Sequence, residues 1–227
     1  MTTSFAQLGL PDALVHALKK KGITEPFPVQ AATIPDALAR RDVSGKAPTG
    51  SGKTLAFGLP LLANVPKGTR NKPSALLLAP TRELAEQIHD NITMMAKMTG
   101  LKSAVVYGGV GKQPQIKAIR SGAEIVVACP GRLLDLLNDK AFNLRAVEVL
   151  VLDEADHMFD KGFLPDIRRI IKQLPVKRQS LVFSATMPKE IRHLATQILQ
   201  NPATVQINHS IPAPTISHAL YQVAREK

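Results

Sequence analysis

The chain has 227 residues, enough for one sizeable α/β domain and rather short for two. Lys and Arg outnumber Asp and Glu by 29 to 18, a net charge of +11 that favours a polyanionic partner, while 4% aromatic residues argue against a surface built from many stacked bases. A single cysteine, Cys129, excludes an intrachain disulfide and fits a reducing cytoplasm. The six His lack metal-ligand spacing, and no apolar run approaches membrane-spanning length or reads as a signal peptide.

Residues 10–21 predict an amphipathic helix with Leu10, Leu14 and Leu18 on one face, three Lys at its negative end and Gly22 as its cap. A weakly apolar strand over 42–46 feeds the glycine-rich loop Ala47-Pro-Thr-Gly-Ser-Gly-Lys-Thr54, and a helix follows over 52–63. Next come a strand at 75–79 and a helix over 82–98 with Leu84, Ile88, Ile92 and Met95 on one face. Strands at 103–107 and 124–128 precede helices near 113–121 and 132–138. The apolar run 147–152 reads as a strand buried on both faces, followed by helices around 154–160 and 164–173. A strand at 180–183, a helix over 189–199 and a strand at 204–207 complete the alternation. That alternation predicts an α/β fold, an open, mostly parallel sheet with helices on both faces. Residues 209–227 carry two Pro and read as a linker leaving the domain.

Two segments carry chemistry. Gly50 and Gly52 lack Cβ atoms, so the loop can turn tightly and aim successive N–H groups at phosphate oxygens. Lys53 supplies a charge for the β and γ phosphates, Thr54 a hydroxyl for magnesium, and the following helix its positive end. Ala47 departs from the general pattern, which has Gly there. The second segment is Asp153-Glu-Ala-Asp156, at the C-terminal edge of a buried strand, where ligands bind in open α/β sheets. Alone it reads more readily as a helix cap. Paired with the phosphate loop, Asp153 reads as the magnesium-side acid and Glu154 as the group that orients or polarises the hydrolytic water.

Six motifs then occur in one order: Gly22-Ile-Thr-Glu-Pro-Phe-Pro-Val-Gln30, Ala47–Thr54, Pro80-Thr-Arg-Glu-Leu-Ala-Glu-Gln87, Gly108-Gly109, Asp153–Asp156 and Ser184-Ala-Thr186. A seventh, Cys129-Pro-Gly-Arg132, matches with one change. In these residues, over essentially its whole length, the sequence resembles the N-terminal RecA-like domain of DEAD-box ATP-dependent RNA helicases. The resemblance implies a RecA-like P-loop NTPase fold, with an N-terminal helix and adenine-recognition motif over 1–30, the ATP-binding domain over 31–208, and a linker over 209–227 toward a second RecA-like domain. It implies ATP and Mg2+ as cofactors and RNA, held by its backbone with little sequence preference, as partner.

The resemblance also implies roles. Ala47, Pro48, Thr49, Gly50, Ser51, Gly52, Lys53 and Thr54 hold the nucleotide, with Thr54 and Asp153 on the metal; Lys53, Asp153 and Glu154 are catalytic. Gln30 reads adenine through an amide that both donates and accepts. Phe5 has two readings of comparable weight, a stack on the base or an apolar anchor for the N-terminal helix. Pro80, Thr81, Arg82, Gly108, Gly109 and Arg132 face RNA, and Asp156, Ser184 and Thr186 couple nucleotide state to RNA remodelling. The family usually has Thr where Cys129 stands, an aromatic at Ile23, and a small or polar residue at Phe27. The second domain supplies the arginine finger, so 1–227 alone is expected to turn over little or no ATP. Competing enzyme classes, a P-loop small-molecule kinase or a DNA-directed recombinase-like ATPase, keep the loop but do not explain Gln30, the Pro80–Gln87 block and the acidic tetrapeptide together. A nucleotide-gated RNA clamp uses the same residues.

Overall fold

Runs such as Ala75–Leu78 and Val149–Leu152 offer no polar face to water, so each must be covered from both sides. The computed structural model describes residues 3–66, 72–97 and 99–207; the expected linker at 209–227 lies outside the described residues. Its elements are α1 (Asp12–Lys20), α2 (Pro28–Leu38), β1 (Val43–Lys46), α3 (Lys53–Asn64), β2 (Ala75–Leu78), α4 (Arg82–Ala96), β3 (Ser103–Val106), α5 (Lys112–Arg120), β4 (Ile125–Ala128), α6 (Pro130–Asn138), β5 (Val149–Leu152), α7 (Ala155–Asp160), α8 (Leu164–Ile171), β6 (Gln179–Ser184), α9 (Lys189–Ile198) and β7 (Ala203–Gln206). The strands form one sheet in the order β3-β4-β2-β5-β6-β1-β7, with every neighbouring pair parallel.

Strand periodicity divides the core into two layers. Leu77, Val127, Val151 and Phe183 point to one face and pack under α1–α4. Leu76, Val126, Leu150 and Val182, one residue away, point to the other and pack under α5–α9. Each predicted strand and helix is present, with ends shifted by a residue or two. Helix α1 stops as expected at Gly22 (φ +72°): Gly22 N–H donates to Lys19 and Ile23 N–H to Leu18, a Schellman closure. Among the described residues no helix is long and apolar enough to cross a membrane.

Helix α2 is an addition to the sequence reading. Pro28 opens it with a preset φ, but Pro35 interrupts its donor series and hides the pattern, although Val29, Ile34 and Ala37 are buried. Strand β1 is weakly apolar for identifiable reasons. Its leading Asp42 is buried but satisfied, accepting from Ser180 N–H at 2.8 Å and Gln200 N–H at 2.7 Å, which pins β6 and the approach to β7. Its Gly45 makes room for the Phe183 ring, which stacks obliquely on Phe57 with centroids 5.5 Å apart. A Cβ on Gly45 would stand 2.5 Å from that ring. Gly45→Ala is therefore expected to destabilise the fold by about 1–3 kcal/mol through overpacking. The urea midpoint measures it; adding Phe183→Leu should recover part of the loss, and an unchanged midpoint for Gly45→Ala would show that the ring yields freely.

Candidate nucleotide site and nucleic-acid edge

Apart from Gly22–Gln30, which precedes the first strand, each motif lies at the C-terminal end of a strand: the phosphate loop at β1, the acids at β5 and Ser184–Thr186 at β6, while Pro80–Arg82, Gly108-Gly109 and Cys129–Arg132 lie at β2, β3 and β4. The strand order adds what spacing could not. β5, β6 and β1 are contiguous, and so are β3, β4 and β2. The nucleotide motifs thus occupy one half of a single sheet edge and the nucleic-acid motifs the other.

In the loop, Gly50 (φ +81°) and Gly52 (φ +91°) adopt the left-handed region that other residues resist. Ala47 does not, which is why a methyl is tolerated at that position; it is buried, and its N–H bonds the Ser184 carbonyl at 3.0 Å. The buried Lys53 ammonium folds back to the Ala47 and Pro48 carbonyls at 3.0 and 3.2 Å, and the Ser51 hydroxyl also donates to Pro48. Thr54 is partly exposed at the first turn of α3. Gln30 ties α2 to the loop: its amide accepts from Phe27 N–H at 2.9 Å and donates to the Gly52 carbonyl at 3.1 Å. Among the described residues its second amide hydrogen and second oxygen lone pair have no partner.

The loop and the acids converge. The Thr49 hydroxyl donates to Glu154 Oε1 at 3.1 Å across the intervening strand β6. Glu154 itself is held at φ +53°, a strained conformation for a residue with a side chain, and its other oxygen lies 3.4 Å from His157 Nδ1. Asp153 is 3% exposed, and burial pushes its carboxyl up to about 6 despite the nearby Lys53 ammonium. A buried carboxylate that forms no ion pair within 4 Å among the described residues suits a cation. Among the described residues no group of three or more His, Cys, Asp or Glu side chains is arranged to hold a metal ion. Asp156 joins the acids to β6. Its N–H donates to Ser184 Oγ at 3.0 Å, and Thr186 donates to its carboxylate through both N–H and hydroxyl at 2.8 Å. Burial alone would raise the Asp156 carboxyl, but hydrogen bonding with Ser184 and Thr186 holds it below its ordinary value.

On the other half, Thr81 caps α4 by accepting from Leu84 N–H at 3.2 Å, which fixes Pro80 and Arg82 at a helix start. The Arg82 guanidinium lies over the Tyr107 ring, 4.8 Å from its centroid, and bonds Glu86, which also accepts from the Tyr107 hydroxyl. Tyr107 and Glu86 thus hold a candidate site residue in place, a role the motifs did not give them; the signals were the adjacency of Tyr107 to Gly108 and of Glu86 to Arg82 one helical turn away. Gly109 takes φ +82°, and Arg132 Nη1 donates to the Val110 carbonyl at 2.8 Å, tying α6 to the Gly108-Gly109 loop. Cys129 precedes α6 without a side-chain cap, and burial pushes its thiol up to about 11, so it stays protonated. Of the two readings of Phe5, the structure places it as the anchor: it is 2% exposed, packed in the cluster that holds Leu8, Leu10, Leu14 and Leu18. A buried ring presents no face to a base, so the expected adenine stack on Phe5 is corrected.

A glycine loop closed by Lys and Thr, facing acids one strand away on a parallel sheet, defines a RecA-like P-loop nucleotide-binding domain. The DEAD/DEAH box helicase family model matches residues 27–194, and the chain belongs to that family. It is 48% identical over 202 residues to DEAD-box ATP-dependent RNA helicase 30 of Arabidopsis thaliana, covering 87% of this chain and 34% of that protein. It is 47% identical over 203 residues to DEAD-box ATP-dependent RNA helicase CshA of Streptococcus pneumoniae, covering 89% of this chain and 38% of that one. The chain thus spans about a third of the length of these relatives. A solved DEAD box protein from Methanococcus jannaschii superimposes with a TM-score of 0.85 at 38% identity, over 91% of this chain and 56% of the other.

Proposed function

We propose that this domain is the ATP-binding half of an RNA helicase, which with a second RecA-like domain couples ATP hydrolysis to RNA duplex unwinding or RNP remodelling. The observation that carries the reading is the Thr49–Glu154 contact, which brings the phosphate loop and the acids to one point. Loop amides from Gly50 to Thr54 and the Lys53 ammonium would bind the triphosphate, once Lys53 leaves the Ala47 and Pro48 carbonyls for phosphate oxygens. Thr54 and Asp153 would hold Mg2+, which neutralises phosphate charge when bound. Glu154 orients water on the γ-phosphate side, and Gln30 reads the adenine edge. RNA phosphates lie along Thr81, Arg82, Gly108, Gly109 and Arg132, with Tyr107 and Glu86 holding the Arg82 guanidinium in place. The lone thiol of Cys129 fits a cytoplasmic location.

The test is ATP turnover by the full-length protein with single-stranded RNA, single-stranded DNA or no polymer. RNA-selective stimulation is expected, together with strand separation of a short RNA duplex. Equal stimulation by DNA, or none by either polymer, overturns the reading. RNA-stimulated turnover without strand separation replaces unwinding with clamping. Because an arginine finger contributes roughly 10³–10⁵ in rate, residues 1–227 alone are expected to show almost no turnover.

A further inference from the structure

We infer that Phe27 is the ring on which the nucleotide base stacks; this rests on the ATP-binding reading and names the residue that gives the base its affinity. Among the described residues, Phe5, Phe57, Phe142 and Phe183 are buried, and Phe159, Phe163 and Tyr107 are half-buried. Phe27 alone stands out, 57% exposed. A single exposed apolar side chain is ordinary, so exposure by itself means nothing. Its position decides.

Phe27 precedes the first turn of α2, and its N–H donates to Gln30 Oε1. Its ring edge lies against the last loop glycine: a Cβ on Gly52 would come within 2.6 Å of Phe27 Cδ2 and 2.5 Å of Gln30 Nε2. The exposed ring, the amide expected to read the base, and the residue that opens the phosphate-binding helix are therefore mutually in contact. A nucleotide with its phosphates on the loop has its base within reach of that corner, where the amide offers an edge and the ring a face. The other apolar candidates are occupied. Phe5 is in the core. Ile23 closes the Schellman turn of α1 through its N–H to Leu18 and packs its side chain on the same cluster. Phe27 thus supplies the stacking surface that neither Phe5 nor Ile23 can.

The experiment is calorimetric titration of full-length protein with ADP and, separately, with inorganic tripolyphosphate, which has no base. For Phe27→Ala, ADP affinity is expected to fall about 10-fold, since stacking on an aromatic contributes roughly 5- to 100-fold per base. Tripolyphosphate affinity should be unchanged, and Phe27→Tyr should restore ADP binding. The exposed ring contributes little to folding, and circular dichroism verifies that the variants fold. Unchanged ADP affinity in Phe27→Ala overturns the assignment. Equal weakening of both probes also overturns it, since the ring would then merely support the Gly52 turn. Wild-type protein that binds neither probe defeats the nucleotide reading itself, and this assignment with it.

Discussion

Glu154→Gln is expected to lower RNA-stimulated ATP turnover by about 10²–10⁴-fold, the usual contribution of a positioned general base, while nucleotide affinity stays within a few-fold. The geometry separates the two effects. Glu154 contacts the loop only through the Thr49 hydroxyl, a bond that an amide oxygen reproduces, and it is not among the groups expected to touch phosphate or metal. Its left-handed backbone holds the side chain across β6 toward the loop, so Gln occupies the same place without a basic oxygen to accept a proton. Lys53→Ala is the contrasting variant. It removes the ammonium that exchanges loop carbonyls for phosphates, so nucleotide binding itself should weaken. Steady-state turnover and an equilibrium ADP titration on the same preparations distinguish them. A Glu154→Gln protein that retains more than a tenth of wild-type turnover would remove Glu154 from the chemistry. One that fails to bind ADP would make its role structural.

Much of this site is legible in the sequence because its chemistry is local. A phosphate loop is eight consecutive residues, and its glycines at 50 and 52 must take positive φ wherever the fold puts them. The acids follow an apolar run that reads as a buried strand, and their pairing with the phosphate loop gives them a role that the segment alone does not. What the letters withhold is lateral order. Nothing in the spacing from Thr54 to Asp153 says that only β6 separates β5 from β1, or that β3, β4 and β2 gather the candidate nucleic-acid motifs on one half of the edge. Strand neighbours are set by which helices can cover which face, a property of the whole chain. Helix α2 was hidden because Pro35 sits inside it, and its burial under tertiary packing outweighs the lost hydrogen bond. Phe5 was ambiguous because an aromatic near a base site and one plugging a core look alike until burial is known. Arg82 and Glu86 are one helical turn apart on α4, but Tyr107 reaches them from just past β3, 21 or more residues along the chain, a contact that helical spacing does not predict.

Asp153→Asn is expected to make the nucleotide-free protein more stable at pH 7–8 while impairing magnesium-nucleotide binding. Folding raises this carboxyl from 3.8 to about 6, because burial penalises the charged form more than the Lys53 ammonium relieves it. Between about pH 4 and 6 the folded state therefore holds a proton that the unfolded chain has released. Stability from this group falls as pH rises through that window, and the penalty is complete above it. A shift of this size corresponds to about 3 kcal/mol at neutral pH, which Asn, unable to ionise, would not incur. The difference between variant and wild type isolates the effect, because Asp156, held below its ordinary value, contributes in the opposite sense and loses its contribution as the pH falls. Thermal melts of both proteins should converge near pH 4, separate between about pH 4 and 6, and keep their full difference above that. Adding ADP with magnesium should reverse their order, stabilising wild type more than the variant, since a cation beside the carboxylate removes the cost of burying it. An Asn variant that melts no higher than wild type at pH 8 would mean that the Asp153 charge is already compensated without a metal. The strain held at this carboxylate would then not be what makes the site receptive to a cation.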